Sequence, residues 1–330
     1  MSNLERNPRE AECGGLADVA TEPVNELLAG RDVVLGGPRG MRVTRTLPNR
    51  EIRMVGAWCF VDHYGPEAAT MRVPPHPHSG LQTVSWLVEG EVLHRDSLGS
   101  EQPIRPGQLN LMTSGRAVSH AEESPRDAEL HGVQLWVALP DAHRWVEPRF
   151  AHHPALPSLA GPGFTATVLV GELGGAVSPA RTYSPLVGAE VSLEAGAEAR
   201  IPLRPDFEYA ALTLSGAAQV GGTGLAPGPL LYLGTGRPGL VLRAGGPARV
   251  LLLGGEPFEE RIVMWWNFVG RDHDEIVEFR REWTGGGGFG TVPGPVGAPL
   301  PAPELPGVPL RARGRRRETP GRIPPRRRRG

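Results

Sequence analysis

Short apolar runs recur along the chain, each bounded by glycine, proline, asparagine or aspartate. The clearest runs cover residues 32–35, 56–61, 83–88, 108–112 and 132–137. Their lengths and their boundaries are typical of strands in a sandwich or barrel. Helical spacing of apolar residues is scarce before residue 255, so the pattern predicts an all-β protein.

One segment near the C-terminus has the spacing of a helix. Within residues 274–283, Ile276, Phe279 and Trp283 are placed to share one face of a helix. The four glycines at 285–288 are expected to end it. The sequence therefore predicts one short C-terminal helix after the strands.

The chain contains an internal repeat. Residues 83–115 and 209–236 both run through an apolar strand, a glycine, a strand, a turn, Pro-Gly and a further apolar strand. Gly90 matches Gly216, and Pro106 matches Pro227. Such a repeat is what a duplicated β-barrel would produce. The second copy has no histidine, so we expect it to be a structural half.

Two pairs of residues carry the candidate chemistry. His76 and His78 are separated by one residue, and so are His120 and Glu122. Positions i and i+2 of a strand point to the same face, so two facing strands could aim these four side chains at one point. Three imidazoles and one carboxylate suit a divalent transition metal better than calcium or magnesium. A catalytic, a structural and a sensing ion all remain open at this stage.

The other histidines are not assigned to the candidate metal site. His94 is expected to end a strand and hydrogen-bond a turn, and His63 could line the mouth of the barrel. Solvent or core positions are expected for His131, His143, His152 and His153.

The bulk composition is that of a globular protein. The chain has 330 residues, of which 39% are hydrophobic and 22% charged. No apolar run approaches the roughly 18 residues of a membrane span. The polar start has no signal-peptide pattern, and two cysteines make no disulfide framework, so a cytoplasmic protein is expected.

The charge is distributed unevenly. The net charge is −1, but residues 311–330 hold ten arginines against the single acid Glu318, which leaves the rest of the chain acidic. Glycine and proline dominate residues 285–310, which could wrap the body in extended form. The arginine-rich end is expected to be disordered, and apart from it the sequence gives no indication of nucleic-acid binding.

The segments 74–125, 130–140 and 251–283 resemble the pirin family of the cupin superfamily. The resemblance implies a bicupin, with two double-stranded β-helix (jelly-roll) barrels packed face to face. It also implies one metal, usually iron, held in the N-terminal barrel by His76, His78, His120 and Glu122. The expected domains are a loosely ordered leader at 1–30, an N-terminal cupin at 31–150, a C-terminal cupin at 151–285 and a disordered tail at 286–330.

The family resemblance leaves two functions open. Some pirins are quercetin 2,3-dioxygenases, which implies Fe(II) (another divalent transition metal being possible), a planar flavonol-like substrate, O2, and Glu122 as general base. Others regulate transcription or metabolic enzymes by binding proteins. The sequence departs from a common pirin pattern at Gln82, where many members carry glutamate. This amide could still hydrogen-bond a ligand or a coordinating histidine.

Overall fold

The chain folds into two β-barrels, one α-helix and one short 3-10 helix (Asp141–His143) in a computed structural model that describes residues 11–13, 22–35 and 41–316. The strands before the second half of the chain are β1 (Ala11–Cys13), β2 (Pro23–Leu28), β3 (Arg31–Leu35), β4 (Met41–Leu47), β5 (Trp58–Ala69), β6 (Arg72–His78), β7 (Leu81–Glu89), β8 (Val92–Asp96), β9 (Glu101–Ile104), β10 (Leu109–Thr113), β11 (Val118–Glu123), β12 (Ala128–Ala138) and β13 (Arg149–His153). The strands that follow are β14 (Ser158–Gly161), β15 (Phe164–Val170), β16 (Glu172–Leu173), β17 (Ala176–Val177), β18 (Leu186–Leu193), β19 (Glu198–Pro202), β20 (Glu208–Ser215), β21 (Ala218–Val220), β22 (Thr223–Leu225), β23 (Leu230–Gly234), β24 (Gly239–Arg243), β25 (Ala248–Gly255), β26 (Ile262–Trp265) and β27 (Phe268–Gly270). The helix is α1 (His273–Thr284).

Each barrel closes a seven-stranded sheet over a four-stranded sheet. The first barrel has the orders β13-β10-β7-β12-β5-β4-β3 and β6-β11-β8-β9. The second has β14-β15-β18-β25-β20-β23-β2 and β19-β24-β21-β22. The two four-stranded orders correspond as written, and the two seven-stranded orders correspond when one of them is read in reverse, so that β3 matches β14 and β7 matches β20. The prediction of an all-β bicupin with a short C-terminal helix is therefore confirmed.

The glycines of the sequence repeat occupy equivalent turns. Gly90 follows β7 with φ of 92°, and Gly216 follows β20 with φ of 69°. Gly107 and Gly228, which precede β10 and β23, also have positive φ. A side chain with a Cβ is strained in this region, so glycine is the residue that both copies require there.

The largest apolar cluster lies between the two barrels. Alternate residues of β7 divide between its two faces: Val84 and Trp86 pack in this shared layer, whereas Leu87 packs inside the first barrel. Trp58 crosses the layer and donates its indole N–H to the carbonyls of Val187 and Gly254, both at 3.2 Å. Each fully buried large apolar side chain stabilises the fold by roughly 1.5–3 kcal/mol, so this layer holds the barrels together.

The predicted helix begins and ends as its sequence indicates. Asp272 caps its N-terminus by accepting a hydrogen bond from the backbone N–H of Glu275 at 3.0 Å. Ile276 and Phe279 are buried on one face, and Gly285 follows the last turn. In the part of the chain that the structure describes, no helix is long and apolar enough to cross a membrane.

Residues 286–316 differ from the disorder expected for the tail. Their backbone hydrogen-bonds the body, with Leu300 N–H donating to the carbonyl of Pro75 at 2.8 Å and Arg53 N–H donating to that of Arg315 at 2.7 Å. Phe289 and Leu310 are buried in a cluster against α1. These few apolar side chains pack the segment against the body, although its high glycine and proline content favours disorder. The expected disorder beyond residue 316 falls outside the described residues.

Part of the expected leader is also structured. Strand β2 pairs with β23 at the edge of the second barrel, and the next strand, β3, pairs with β4 at the edge of the first. Residues 22–35 therefore bridge the two barrels. Residues 1–10 and 14–21 lie outside the described part.

Candidate metal centre

Three predicted histidines converge inside the first barrel. His76 and His78 lie on β6, and His120 lies directly opposite His76 on the antiparallel neighbour β11. One ligand atom from each of the three lies within 4.8 Å of the others. The Nε2 atoms of His78 and His120 are 3.0 Å apart, and all three side chains are fully buried.

These imidazoles are neutral, so each can offer the lone pair of a ring nitrogen to a metal ion. The Nδ1–H of His76 is positioned to donate to the carbonyl of Pro74 at 2.9 Å, and its buried Nε2 has no hydrogen-bond partner among the described residues. Burial lowers the pKa of His76 to about 3. Burial, followed by the charge of His76, also holds the pKa values of His78 and His120 well below the usual range. A divalent cation among the three rings would satisfy their otherwise costly buried nitrogens.

Glu122 lies beside the three histidines, but it does not belong to the set in which their ligand atoms all lie within 4.8 Å of one another. A register shift follows His120 on β11, so Glu122 faces Val73 and His94 on its two neighbouring strands. Its carboxylate, His120 and His94 form a second set whose ligand atoms are within 4.8 Å of one another. The two sets share His120, and the assignment of all four predicted residues as metal ligands stays a prediction.

His94 belongs to the site, which the sequence reasoning missed. Its Nδ1 lies 3.3 Å from Nδ1 of His120, and its Nε2 lies 3.0 Å from the carboxylate of Asp96. Asp96 also accepts the turn N–H groups of Leu98 and Ser100, both at 2.9 Å. The expected turn contact is therefore made by Asp96. The signal was available, because His94 and Asp96 have the same i, i+2 spacing as the recognised pairs.

Two other residues do not lie where they were expected. The Nε2 atoms of His63 and His131 are 3.0 Å apart, with both side chains buried, and β5 places His63 on the face that packs against the second barrel rather than at a barrel mouth. Gln82 also faces the layer between the barrels. Its amide donates to Thr113 Oγ1 and to the Arg181 carbonyl, so it does not hold a site histidine.

The second barrel fills the equivalent positions with apolar side chains. On β19 and β24, Ala199 is paired with Leu242 and Ile201 with Leu240, and all four are buried. Val220 occupies the place of Asp96, since it pairs with Leu242 as Asp96 pairs with His120. Among the described residues, both potential metal-binding groups lie in the first barrel.

A cavity of about 240 Å³ lies beside the site, and Glu122 is one of the residues that line it. Its walls include Arg95, Glu123 and residues 295–297. Arg95 alternates along β8 with the buried His94 and Asp96, so its side chain points away from the barrel interior. The cavity is therefore lined from the outer face of the four-stranded sheet by Arg95, while Glu122 of the candidate site also contributes to its wall.

The family follows from the sequence comparisons. The family model for pirin matches residues 40–137, and the model for the pirin C-terminal cupin domain matches residues 188–290. A protein of Pseudomonas aeruginosa, provisionally named a quercetin 2,3-dioxygenase, is 46% identical over 291 residues, which cover 86% of this chain and 92% of that protein. The chain belongs to the pirin family.

Two further pirin relatives cover both barrels. A pirin-like protein of Caulobacter vibrioides is 38% identical, with 74% of this chain and 88% of that protein covered. The crystal structure of a quercetin 2,3-dioxygenase from Acinetobacter baumannii matches with a TM-score of 0.83 and 43% identity, covering 87% of this chain and 97% of that one. The pirin match over residues 40–137 includes all four predicted site residues.

Proposed function

We propose that this pirin is a metal-dependent oxygenase of the quercetin 2,3-dioxygenase type. His76, His78, His120 and Glu122 would hold one divalent transition metal in the first barrel. The observation that carries the proposal is the meeting of three buried, neutral imidazoles, with His78 and His120 only 3.0 Å apart and Nε2 of His76 unpartnered among the described residues. The names of the relatives from P. aeruginosa and A. baumannii support the same reaction.

Ferrous iron is the favoured metal, and another divalent transition metal would fit the same donors. Imidazole and carboxylate suit iron, nickel, copper and zinc alike. Structural zinc sites are usually four-coordinate and rich in cysteine. Cys59 is buried away from the cluster, its sulfur 3.6 Å from the carbonyl of Trp136, which argues against such a zinc site.

The protein residues around the metal have separable roles. A divalent ion bound there supplies Lewis acidity toward a flavonol hydroxyl and reactivity toward O2. Glu122 accepts the proton of that hydroxyl as general base. Tyr64 stays protonated, because burial raises its pKa far above the usual range and the charge of Glu122 adds to the shift. The closed barrel keeps bulk water from the reacting ring.

One observation favours a second candidate function. All three histidines are fully buried. A protected ion of this kind suits a metal-dependent, redox-sensing regulator that acts by binding another protein. This candidate predicts metal binding without flavonol turnover.

Oxygen uptake tests the proposal. The protein is reconstituted anaerobically with Fe(II), mixed with quercetin and O2, and followed for oxygen consumption and for release of carbon monoxide. His120→Ala is the inactive variant, and His143→Ala, which alters a histidine outside the site, is the matched control. Uptake by the wild type and His143→Ala but not by His120→Ala supports the oxygenase. No uptake by iron-loaded wild type rejects it in favour of the regulator.

A further inference from the structure

A row of polar side chains crosses the large sheet of the first barrel. Each member is directly paired with the next on the neighbouring strand, over six adjacent strands. From β13 to β4 the row is His152, Asn110, Ser85, Gln134, Asp62 and Arg45.

Most polar atoms of the row satisfy one another, and two do not. Arg45 donates to both carboxylate oxygens of Asp62 at 2.7 and 2.8 Å, and Ser85 Oγ donates to Oε1 of Gln134 at 2.9 Å. Nδ1 of His152 lies 2.7 Å from Oδ1 of Asn110. Within the described part of the chain, Gln134 Nε2 and Asn110 Nδ2 are buried N–H donors without an acceptor. Their side chains are only 2% and 3% exposed.

The row faces the candidate metal centre. On one side of it, Trp136 of β12 meets His78 edge-on with ring centroids 5.2 Å apart, and Phe150 of β13 stacks on His94 at 4.4 Å. On its other side lies Tyr64 of β5, whose pKa is raised by burial and by the charge of Glu122. The row lies between Trp136 and Tyr64 on the same face of the sheet, which faces the strands that carry His78 and Glu122.

The second barrel shows that the fold does not need this row. Its equivalent positions, paired in the same way across five strands, are Val168, Ala189, Leu252, Ala211 and Leu231. The matched glycines Gly90 and Gly216 fix this correspondence, since Ser85 and Ala211 each lie five residues before them. All five second-barrel residues are buried and apolar.

We propose that the polar row is the substrate-recognition surface of the first barrel. Gln134 Nε2 and Asn110 Nδ2 donate hydrogen bonds to hydroxyl or carbonyl oxygens on the rings of a polyhydroxylated aromatic substrate, while the Arg45–Asp62 pair closes one end of the row. The proposal rests on the proposed oxygenase function and adds the residues that select its substrate. A buried donor without an acceptor is costly, and a ligand oxygen would supply the acceptor that Gln134 and Asn110 lack among the described residues.

This arrangement distinguishes ligands by the hydroxyl and carbonyl groups on their rings. A ligand that has the metal-facing hydroxyl and carbonyl but lacks the other ring hydroxyls leaves both amide donors unpaired. Sites built to hydrogen-bond a ligand hydroxyl discriminate strongly against analogues that lack it. Quercetin and 3-hydroxyflavone form such a pair, because they share the 3-hydroxyl and 4-carbonyl and differ in the remaining hydroxyls.

Anaerobic binding to the Zn(II)-loaded protein tests the row without turnover. The dissociation constants of quercetin and 3-hydroxyflavone are measured by fluorescence for the wild type, the double variant Ser85→Ala/Gln134→Leu and the variant Asn110→Leu. Gln82→Leu is the matched control, since Gln82 lies on β7 beside the row but faces the layer between the barrels. The thermal midpoint of each protein is measured in parallel.

We expect the wild type to prefer quercetin. Each row variant weakens quercetin binding about three- to tenfold, as the loss of one hydrogen bond would. Binding of 3-hydroxyflavone is unchanged, and Gln82→Leu retains the preference. The thermal midpoint of the double variant is unchanged or higher, because it removes both a hydrogen-bonded pair and an unpaired donor.

Three results would overturn the proposal: a wild type that binds neither ligand or shows no preference, row variants that lose both ligands equally, and row variants that lose neither. The proposed function fails separately. Selective quercetin binding without oxygen uptake rejects the oxygenase, whereas oxygen uptake by row variants that keep full quercetin affinity rejects the row.

Discussion

His94 and His120 meet through their Nδ1 atoms at 3.3 Å, and Asp96 holds the opposite nitrogen of His94 at 3.0 Å. This arrangement fixes one set of proton positions for metal binding. His120 donates Nδ1–H to His94, His94 donates Nε2–H to Asp96, and Nε2 of His120 keeps its lone pair toward His78. Metal-binding histidines usually donate their second N–H to a carboxylate or carbonyl, and here an additional imidazole stands between.

Removing His94 should weaken metal binding without removing a predicted ligand. We expect His94→Ala to lower the affinity for Co(II) or Zn(II) about 10–100-fold, the range found when the partner of a metal-binding histidine is lost. A competition titration against a chelator measures the affinity, and the Co(II) absorption spectrum reports a changed ligand field. His143→Ala is the control. Unchanged affinity and spectrum in His94→Ala would show that His94 does not orient His120.

Glu122 should matter more for turnover than for holding the metal. In Glu122→Gln the three histidines still bind the metal, but the neutral amide cannot accept the hydroxyl proton. We expect quercetin turnover by the metal-saturated variant to fall about 10²–10⁴-fold, as for loss of a general base. Rates are compared at equal metal content. A variant with normal turnover would remove Glu122 from the chemistry.

The His63–His131 pair should make stability fall in mild acid. Burial, and then the charge of His131, lowers the pKa of His63 to about 4. A histidine whose pKa is lowered on folding stabilises the protein above its unfolded pKa of roughly 6.5, and this contribution is lost as the pH falls through about 4. Glu89, Arg249 and Glu190 surround His131 and set the charge of this region.

Replacing His63 tests this pH dependence. Urea unfolding of the metal-free protein is measured between pH 7.5 and 4.5, for the wild type and for His63→Phe. We expect the unfolding midpoint of the variant to fall less steeply with decreasing pH, since its unfolded state no longer binds the extra proton. Parallel curves for the two proteins would show that the pair does not titrate on unfolding.

Arg315 should stabilise the fold although it lies beyond the second barrel. Its guanidinium donates to the buried carboxylate of Glu208 at 2.8 Å. Glu208 also accepts Gly56 N–H at 2.7 Å and the Tyr232 hydroxyl at 2.6 Å. Breaking a buried ion pair from one side typically costs about 3–5 kcal/mol, and the two remaining hydrogen bonds favour the lower end.

Equilibrium urea unfolding of Arg315→Ala measures that cost. The comparison is Arg311→Ala, which alters an exposed arginine of the same segment. We expect a loss of about 3 kcal/mol for Arg315→Ala and a small effect for Arg311→Ala, since exposed charges contribute about 0–1 kcal/mol. Equal effects would mean that the ion pair between Arg315 and Glu208 does not stabilise the fold.

Local patterns carried the predictions of the fold and of the meeting of three histidines, whose role as metal ligands stays a prediction. The spacing of His76, His78 and His120 shows in the sequence because side chains alternate along a strand, and the repeat shows because Gly90 and Gly216 meet the same backbone demand. The helix at Ile276 and Phe279 follows from the spacing of its own residues.

Long-range pairing hid the rest. His94 reaches His120 only because β8 pairs with β11, and the sequence of neither strand shows which of their residues are paired. The polar row draws one residue from each of six strands between Arg45 and His152, so every member taken alone resembles an ordinary alternating strand residue. Phe289 and Leu310 are likewise isolated apolar residues in a segment whose composition favours disorder.

Metal stoichiometry tests the central claim most directly. The wild type, His120→Ala and His143→Ala are loaded anaerobically with Fe(II), freed of unbound metal and analysed for iron per chain by mass spectrometry. The account predicts one iron per chain for the wild type and His143→Ala, and none for His120→Ala. Iron retained in full by His120→Ala, or no iron in the wild type, would contradict a metal centre built on these histidines.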